Sequence, residues 1–209
     1  MALLETGSSR QRRLPVYILF DSPSFESVED IEKASDFIQN LVEVMRSDPY
    51  ALETVFVSAI ICNSKKCEST ELVELFEFKM PHIKLGANIE NYFSKGLTLL
   101  CSKIDQEVVK TTAEQKGDWR PIVLLFTKNI KEEEILNHLD SLKKCNISSI
   151  GILSDNTIVS DSVLKQVSRQ VLVVEKYNKD ILQFFYHKLF NPWRNDIDYY
   201  VLPEGLKLI

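Results

Sequence analysis

Charged and hydroxyl-bearing side chains follow two apolar runs of the sequence, at the points where the runs end. The runs extend from Pro15 to Phe20 and from Ile122 to Phe126. The polar residues that follow them are Asp21, Ser22, Ser24, Lys128 and Asn129. Continuous apolar runs are typical of buried parallel strands, and the loops after the carboxyl ends of such strands form the ligand crevice of an open α/β sheet. We therefore expect these residues to lie together in a binding site.

The residue types in the two loops argue against a functional cation site. A divalent cation is held by six or more oxygen ligands, often from carboxylates or hydroxyls. Asp21 is a suitable ligand, but Pro23 and Phe25 occupy positions where further hydroxyls would be needed. Lys128 supplies a cation where a second carboxylate would be needed. The sequence therefore predicts a binding site that holds no metal and no other cofactor.

Composition and net charge narrow the classes of function. The chain has 209 residues, of which 44% are hydrophobic and 26% charged, and a net charge of −5; these values are typical of a globular protein. Nucleic-acid binding needs clustered Lys and Arg, and we interpret the basic cluster Arg10, Arg12 and Arg13 as a solvated terminus. No run has the length of a membrane span or the pattern of a secretory signal. We therefore expect no nucleic-acid or membrane partner and a cytoplasmic location.

The cysteines and histidines do not predict a catalytic or metal site. Cys62 ends an apolar run, and Cys101 and Cys145 lie on apolar faces of helical patterns, so we expect small buried hydrophobic residues there. Cys62 and Cys67 are close in sequence, but no second pair of Cys or His completes a zinc site. The three histidines have no partner at a spacing typical of nucleophilic catalysis. The sequence thus favours a protein that is not an enzyme.

Alternating apolar strands and amphipathic helices predict one α/β domain. The expected fold is a doubly wound (Rossmann-like), mostly parallel six-stranded sheet with helices on both faces and one antiparallel edge strand, Glu71–Phe78. We assign residues 1–13 to a flexible lead, 14–190 to the domain and 191–209 to a C-terminal extension. The apolar residues of the extension are Trp193, Tyr199, Tyr200, Val201 and Leu202. The extension either packs on the domain or binds a partner.

Three stretches of the sequence resemble a known family. They are RRLPVYILFDSPSF, MRSDPYALETVFVSAI and IDQEVVKTTAEQKGDWRPIVLLFT. Together they resemble the von Willebrand factor A (vWA) domain and, within that family, the bacterial tellurium-resistance TerY-like branch. The resemblance extends from Leu14 to Leu189 and implies the Rossmann-like fold. It also implies a metal-ion-dependent adhesion site (MIDAS), in which oxygens from three loops hold Mg²⁺ or Mn²⁺.

Matching the MIDAS pattern to this sequence leaves one of its five ligand positions. The family pattern is Asp-x-Ser-x-Ser in the first loop, a Thr in the second and an Asp followed by Gly in the third. Asp21 matches the first position, and both serines are replaced. The second loop aligns with Asn88–Asn91, which places Glu90 at the Thr position. In the third loop, Lys128 replaces the Asp and Asn129 replaces the Gly.

The resemblance implies a non-enzymatic adaptor or scaffold with a degenerate MIDAS, in a bacterial tellurium-resistance or stress-response system. We hypothesise that the Lys128 ammonium pairs with Asp21 or Glu90 in place of a metal, or with an acidic side chain of a protein partner. The alternative is a Lys128 that points into solvent. Another vWA protein is one candidate partner. Two other functions stay open, namely weak Mg²⁺- or Mn²⁺-dependent ligand binding and hydrolysis that uses Asp21 and Glu90.

Overall fold

Strands alternate with helices along the chain. The computed structural model describes residues 12–85, 92–110, 117–153, 156–157, 160–168, 170–190 and 202–208. The strands are β1 Leu14–Asp21, β2 Val55–Cys62, β3 Cys67–Ser69, β4 Val73–Glu74, β5 Ile122–Phe126, β6 Asn129–Ile130, β7 Ser149–Leu153, β8 Asn156–Thr157, β9 Gln170–Val174 and β10 Leu206–Leu208. The helices are α1 Val28–Arg46, α2 Pro49–Thr54, α3 Tyr92–Glu107, α4 Glu132–Lys144, α5 Asp161–Val167 and α6 Lys179–Phe190.

A mostly parallel sheet forms the centre of the protein. Within the described residues it has eight strands in the order β10-β9-β7-β5-β1-β2-β3, with β4 also paired to β2. The strands from β9 to β2 are parallel, and antiparallel strands lie at both edges. The predicted α/β class is confirmed. The strand number differs from the predicted six because one edge is divided into two short strands and β10 extends the other.

The sheet edge next to β2 differs from its prediction. Of the predicted edge strand Glu71–Phe78, only Val73–Glu74 is a strand. β3 forms most of this edge, because the chain reverses soon after β2 ends. At the reversal, the Asn63 side chain accepts hydrogen bonds from the backbone amides of Lys65 and Lys66. Such contacts from an Asn side chain stabilise tight turns.

β1 lies in the middle of the sheet and is buried on both faces. Val16, Ile18 and Phe20 belong to one core layer, whereas Tyr17 and Leu19 belong to the other. Helices α1 and α6 pack on the first layer, and α3, α4 and α5 pack on the second. A strand with two buried faces needs apolar side chains at every position, which explains the continuous run in the sequence.

The ends of α1 follow local sequence signals. The Ser27 side chain caps the helix by accepting a hydrogen bond from the Asp30 amide at 3.1 Å, and serine is a favoured residue at this position. The helix ends at Arg46, shortly before Pro49. Asp48 then caps the short helix α2, which the sequence analysis does not predict. None of the helices described is long and apolar enough to cross a lipid bilayer.

Parts of both terminal segments contact the domain. Arg13 forms an ion pair with Asp118 at 2.6 Å, and the Arg12 guanidinium lies 4.1 Å from the centroid of the Trp119 ring. These two arginines therefore have structural contacts, which differs from the predicted solvated terminus. At the other end, β10 pairs with β9 and becomes part of the sheet. Residues 191–201, which include most of the aromatic extension, lie outside the described residues.

Gly151 on β7 offers a test of the packing between the sheet and α6. A Cβ at this position would lie 2.9 Å from Phe185 Cε2 and 3.0 Å from Leu124 Cδ2, and both side chains are fully buried. We expect Gly151→Ala to lower the free energy of unfolding by about 1–3 kcal/mol, the usual cost of overpacking. Urea denaturation measures it, with Ser141→Ala on the exposed face of α4 as the control. An unchanged midpoint for Gly151→Ala would contradict this packing.

Candidate functional site

The parallel pairing of β1 with β5 brings the two polar loops together. Phe20 near the end of β1 is in register with Phe126 at the end of β5. Asp21 and Thr127 follow these residues, and the Thr127 hydroxyl donates a hydrogen bond to Asp21 Oδ2 at 3.1 Å. The Asp21 carboxylate therefore lies at the carboxyl-terminal edge of the sheet, where ligands bind in open α/β folds.

The Asp21 side chain is a buried acid with a perturbed pKa. The residue is 5% exposed. Burial raises the pKa of Asp21 to about 6, and the nearby negative charge of Glu134 also raises it. Hydrogen bonds from Thr127 and Ser24 act in the opposite direction, because they stabilise the ionised carboxylate. Asp21 therefore changes its charge close to neutral pH.

The two serines after β1 have partners within the protein. The Ser22 side chain is fully buried and donates its hydroxyl hydrogen to the carbonyl oxygen of Lys84. The Ser24 hydroxyl donates to the carbonyl oxygen of Asp21 at 2.8 Å and accepts a hydrogen bond from the Lys128 amide at 2.9 Å. Ser24 thus joins the loop after β1 to the loop after β5. These hydroxyls fix the shape of the site.

The Lys128 ammonium pairs with an acidic residue of α1. Its Nζ lies 3.1 Å from Asp30 Oδ2, and the two side chains are 17% and 25% exposed. The pKa of Asp30 is lowered, first by a hydrogen bond from Ser27 and then by the contact with Lys128. Asp30 is therefore one partner of Lys128, and the hypothesis of a pair between Lys128 and Asp21 stays a prediction. Sequence patterns missed Asp30 because α1 is far from Lys128 along the chain.

Several of the predicted site residues lie outside the part of the chain that the structure describes. Asn88, Glu90 and Asn91 lie outside the described residues, so the hypothesis of a Lys128–Glu90 pair stays a prediction. The backbone of Asn129 belongs to β6, which pairs with β8, and its side chain is not described. The site that can be described therefore consists of the loop after β1, the first residues after β5 and the start of α1.

The described residues do not fit the metal that the vWA resemblance implies. The hydroxyls of Ser22 and Ser24 are engaged with backbone groups, and the Phe25 ring stacks on Phe20 with its centroid 4.9 Å away. Among the residues that the structure describes, no group of three or more His, Cys, Asp or Glu side chains could hold a metal ion. Lys128 adds positive charge beside this loop, which opposes a cation further.

A disulfide flanks the site. Cys62, at the end of β2, is in register with Asp21 and is bonded to Cys67 at the start of β3. Cys62 is fully buried, as expected, but the disulfide was not predicted. The four-residue spacing around Asn63 was a signal for this bond, because the tight turn brings the two cysteines together. Cys101 is a buried free thiol, as expected, and the free thiol of Cys145 is partly buried.

Comparisons with solved structures show proteins of similar structure. Proximal thread matrix protein 1 from the mussel byssus has a TM-score of 0.52 and 14% identity, over 86% of this chain and 47% of that one. The VWA domain of SpRpn10 has a TM-score of 0.48 and 15% identity, over 74% and 80%. The secreted C11 cysteine protease iotapain from Bacteroides thetaiotaomicron has a TM-score of 0.48 and 9% identity, over 90% and 59%.

These comparisons bear on fold alone. No protein-family model matches the sequence, and no curated protein matches it. This chain spans about half the length of the mussel protein, with which it shares the α/β fold. At 14% identity the likeness says nothing about a shared activity or partner.

The raised pKa of Asp21 predicts a pH-dependent effect of the substitution Asp21→Asn. An unfolded Asp titrates near pH 4, so between about pH 4 and 6 the folded protein binds more protons here than the unfolded chain. Ionised Asp21 therefore lowers stability as the pH rises through this range. The amide of Asn cannot ionise, yet its oxygen still accepts from Thr127. We expect Asp21→Asn to raise the free energy of unfolding at pH 7.5 by on the order of 1–3 kcal/mol.

Thermal or urea unfolding at several pH values measures this effect. The increase in the free energy of unfolding caused by Asp21→Asn should become smaller as the pH falls through 6, and it should vanish near pH 4. Asp36→Asn, on the exposed face of α1, serves as the control. A destabilised Asp21→Asn protein at pH 7.5 would show that the ionised carboxylate is stabilised in the fold.

Proposed function

We propose that this chain is a non-enzymatic protein-interaction domain of the vWA type, whose former metal site uses Lys128 in place of the ion. The observation that carries the proposal is the contact between Lys128 and Asp30, 3.1 Å apart. A lysine stands at the position where the family pattern has a metal-binding aspartate. Its ammonium lies at the ligand edge of the sheet and is already paired with a carboxylate.

The expected partner presents an acidic side chain. In the family, the metal of an intact MIDAS binds a carboxylate of the partner. A lysine ammonium binds a carboxylate through charge-assisted hydrogen bonds. The partner's carboxylate would compete with Asp30, which is near the surface and one quarter exposed. Binding then exchanges one carboxylate for another at Lys128, so the contact needs no metal.

The rigid base of the site supports this role. Ser24 joins the two loops by hydrogen bonds of 2.8 and 2.9 Å. The Lys128 backbone amide is one end of this link, so the backbone that carries the side chain is held next to the loop after β1. A partner that meets a preorganised side chain loses less conformational freedom on binding.

A role in catalysis receives less support from the geometry. A general acid or base must reach the proton that it transfers. Asp21 has a pKa of about 6, which suits such chemistry, but its side chain is 5% exposed and lies beneath the loop. We therefore assign Asp21 to the structure of the site. The sequence resemblance extends the proposal to an adaptor in a bacterial tellurium-resistance or stress-response system, located in the cytoplasm.

The substitution Lys128→Glu tests the proposed contact. It reverses the charge that would attract a partner's carboxylate. We expect its affinity for the partner to fall at least tenfold, a loss of about 1.4 kcal/mol or more. Wild type, Lys128→Glu and a control, Lys144→Glu at the opposite edge of the sheet, serve as immobilised baits in a bacterial lysate. Proteins retained by wild type and control, but lost by Lys128→Glu, are then purified and titrated against all three.

Unchanged affinity of the Lys128→Glu protein would refute this mechanism. Because the substitution also removes the pair with Asp30, thermal unfolding must show that the variant is folded. Asp30→Asn gives an independent measurement, since it removes the internal competitor and keeps Lys128. We expect it to bind the same partner at least as tightly as wild type does.

A calorimetric titration with Mg²⁺ and Mn²⁺ tests whether the site binds a metal ion. We expect no saturable heat and no shift of the melting temperature, because the described oxygens are engaged and Lys128 repels cations. Asp21→Ala is the control. Saturable binding that disappears in Asp21→Ala would support the alternative, a vWA domain that retains metal-dependent ligand binding.

A further inference from the structure

A large cavity lies at the amino-terminal edge of the sheet, opposite the Asp21 site. Its volume is about 970 Å³, which is within the range of small-molecule sites. The first residues of β1, β2, β5, β7 and β9 line it, together with the last turns of α3, α4 and α6. Nothing in the proposed partner contact at Lys128 uses this cavity.

The lining of the cavity is rich in cationic side chains. Five of the lining residues are cationic, namely Arg12, Lys110, Arg120, Lys143 and Lys144. Three are carboxylates, namely Asp48, Asp105 and Asp118. The protein as a whole carries a net charge of −5, so the local excess of positive charge runs against the overall balance. An excess of this kind attracts anions.

Each of the three carboxylates already has donors within the protein. Asp118 accepts from the Arg13 guanidinium at 2.9 and 2.6 Å and from the Val109 amide at 2.9 Å. Asp105 pairs with Lys110 at 2.7 Å. The third, Asp48, accepts from the Tyr186 hydroxyl at 2.5 Å and from the Tyr50 amide at 2.9 Å. Asp105 and Asp118 are therefore paired with cations. Asp48 keeps its negative charge, but the remaining cations of the lining outnumber it.

Three cations at the cavity remain available to an anion. Arg120 and Lys144 are exposed, and neither forms an ion pair with any of the residues that the structure describes. The Lys143 ammonium donates to the side-chain carbonyl of Gln166 at 3.3 Å, which is a neutral acceptor. All three side chains line the cavity and are exposed, and none forms an ion pair with a carboxylate of the described residues.

Most of the remaining lining is apolar or aromatic, with some neutral polar side chains such as Thr54, Asn146 and Gln170. The Trp119 ring is held by the Arg12 guanidinium, 4.1 Å from its centroid, and Arg12 in turn donates to the carbonyl oxygen of Gly117 at 3.0 Å. Ile104 and Leu189 are buried side chains that also line the cavity. An apolar wall below a cationic mouth suits a molecule with an anionic head and an apolar body.

We propose that this cavity binds a small amphiphilic anion, a carboxylate or sulfonate with a hydrocarbon or aromatic body. The anionic head lies among Arg120, Lys143 and Lys144, and the body lies against Trp119, Ile104 and Leu189. Burial of the apolar body supplies affinity, and the cations supply selectivity for a negative head over a neutral one. The site is separate from the Lys128 contact and at the opposite edge of the sheet.

Fluorescence titration with 8-anilinonaphthalene-1-sulfonate, an aromatic sulfonate, tests the proposal on the full-length chain. We expect saturable binding with one site per chain. The double variant Arg120→Glu/Lys144→Glu should weaken it at least tenfold. The control Lys65→Glu/Lys79→Glu changes the net charge equally at exposed positions away from the cavity and should bind as wild type does. Decanoate should displace the probe, whereas the neutral decanol should do so at least tenfold less well.

Three results would overturn the proposal. The first is the absence of saturable binding to wild type, which would mean that the cavity is not accessible to such a molecule. The second is equal binding by the two double variants, which would place the probe elsewhere. Equal displacement by decanol and decanoate would show that the site does not select the anionic head. Circular dichroism must show that each variant is folded. We expect all of them to fold, because the substituted residues are exposed.

Discussion

β1 pairs in parallel with β2 on one side and β5 on the other, and both of its faces are covered by helices. Backbone groups buried in this way need hydrogen-bonded partners, so the register of the three strands is strongly specified. Because the strands are parallel, all three end at the same edge. Asp21, Cys62 and Thr127 therefore become neighbours, although they are distant in sequence. The same pairing brings the first residues of the strands together around the opposite cavity.

The Asp21 site is built around a buried carboxylate at the carboxyl-terminal edge of the sheet. A buried carboxylate without a counter-charge is costly, by several kcal/mol in effective terms. Here burial raises the pKa of Asp21 to about 6, so the ionised carboxylate is less favourable than that of an exposed aspartate. Thr127 supplies a hydroxyl donor. Lys128, in the loop after β5, pairs with Asp30 on α1, so the charge balance of the site involves a third element.

Local sequence patterns predicted most of the elements. The runs ending at Phe20 and Phe126 are buried strands, and Ser27 caps α1 as its residue type suggests. Patterns failed where a contact depends on distant parts of the chain. Arg13 belongs to a basic cluster that is typical of a solvated terminus. Its guanidinium nevertheless donates two hydrogen bonds to the Asp118 carboxylate. The β10 strand is three residues long and is specified by the free edge of β9 more than by its own residues.

The sequence by itself determined the α/β alternation, the burial of the central strands and the absence of side-chain oxygens at Pro23 and Phe25. These are properties of residue type and spacing, which need no knowledge of what packs against them. Only the tertiary structure decided that Lys128 pairs with Asp30, that Cys62 bonds to Cys67 and that a cationic cavity forms at the far edge. Each of these joins separate elements, and the geometry between elements follows from the register of the sheet and the packing of helices on it. A single-sequence pattern carries no measure of that geometry.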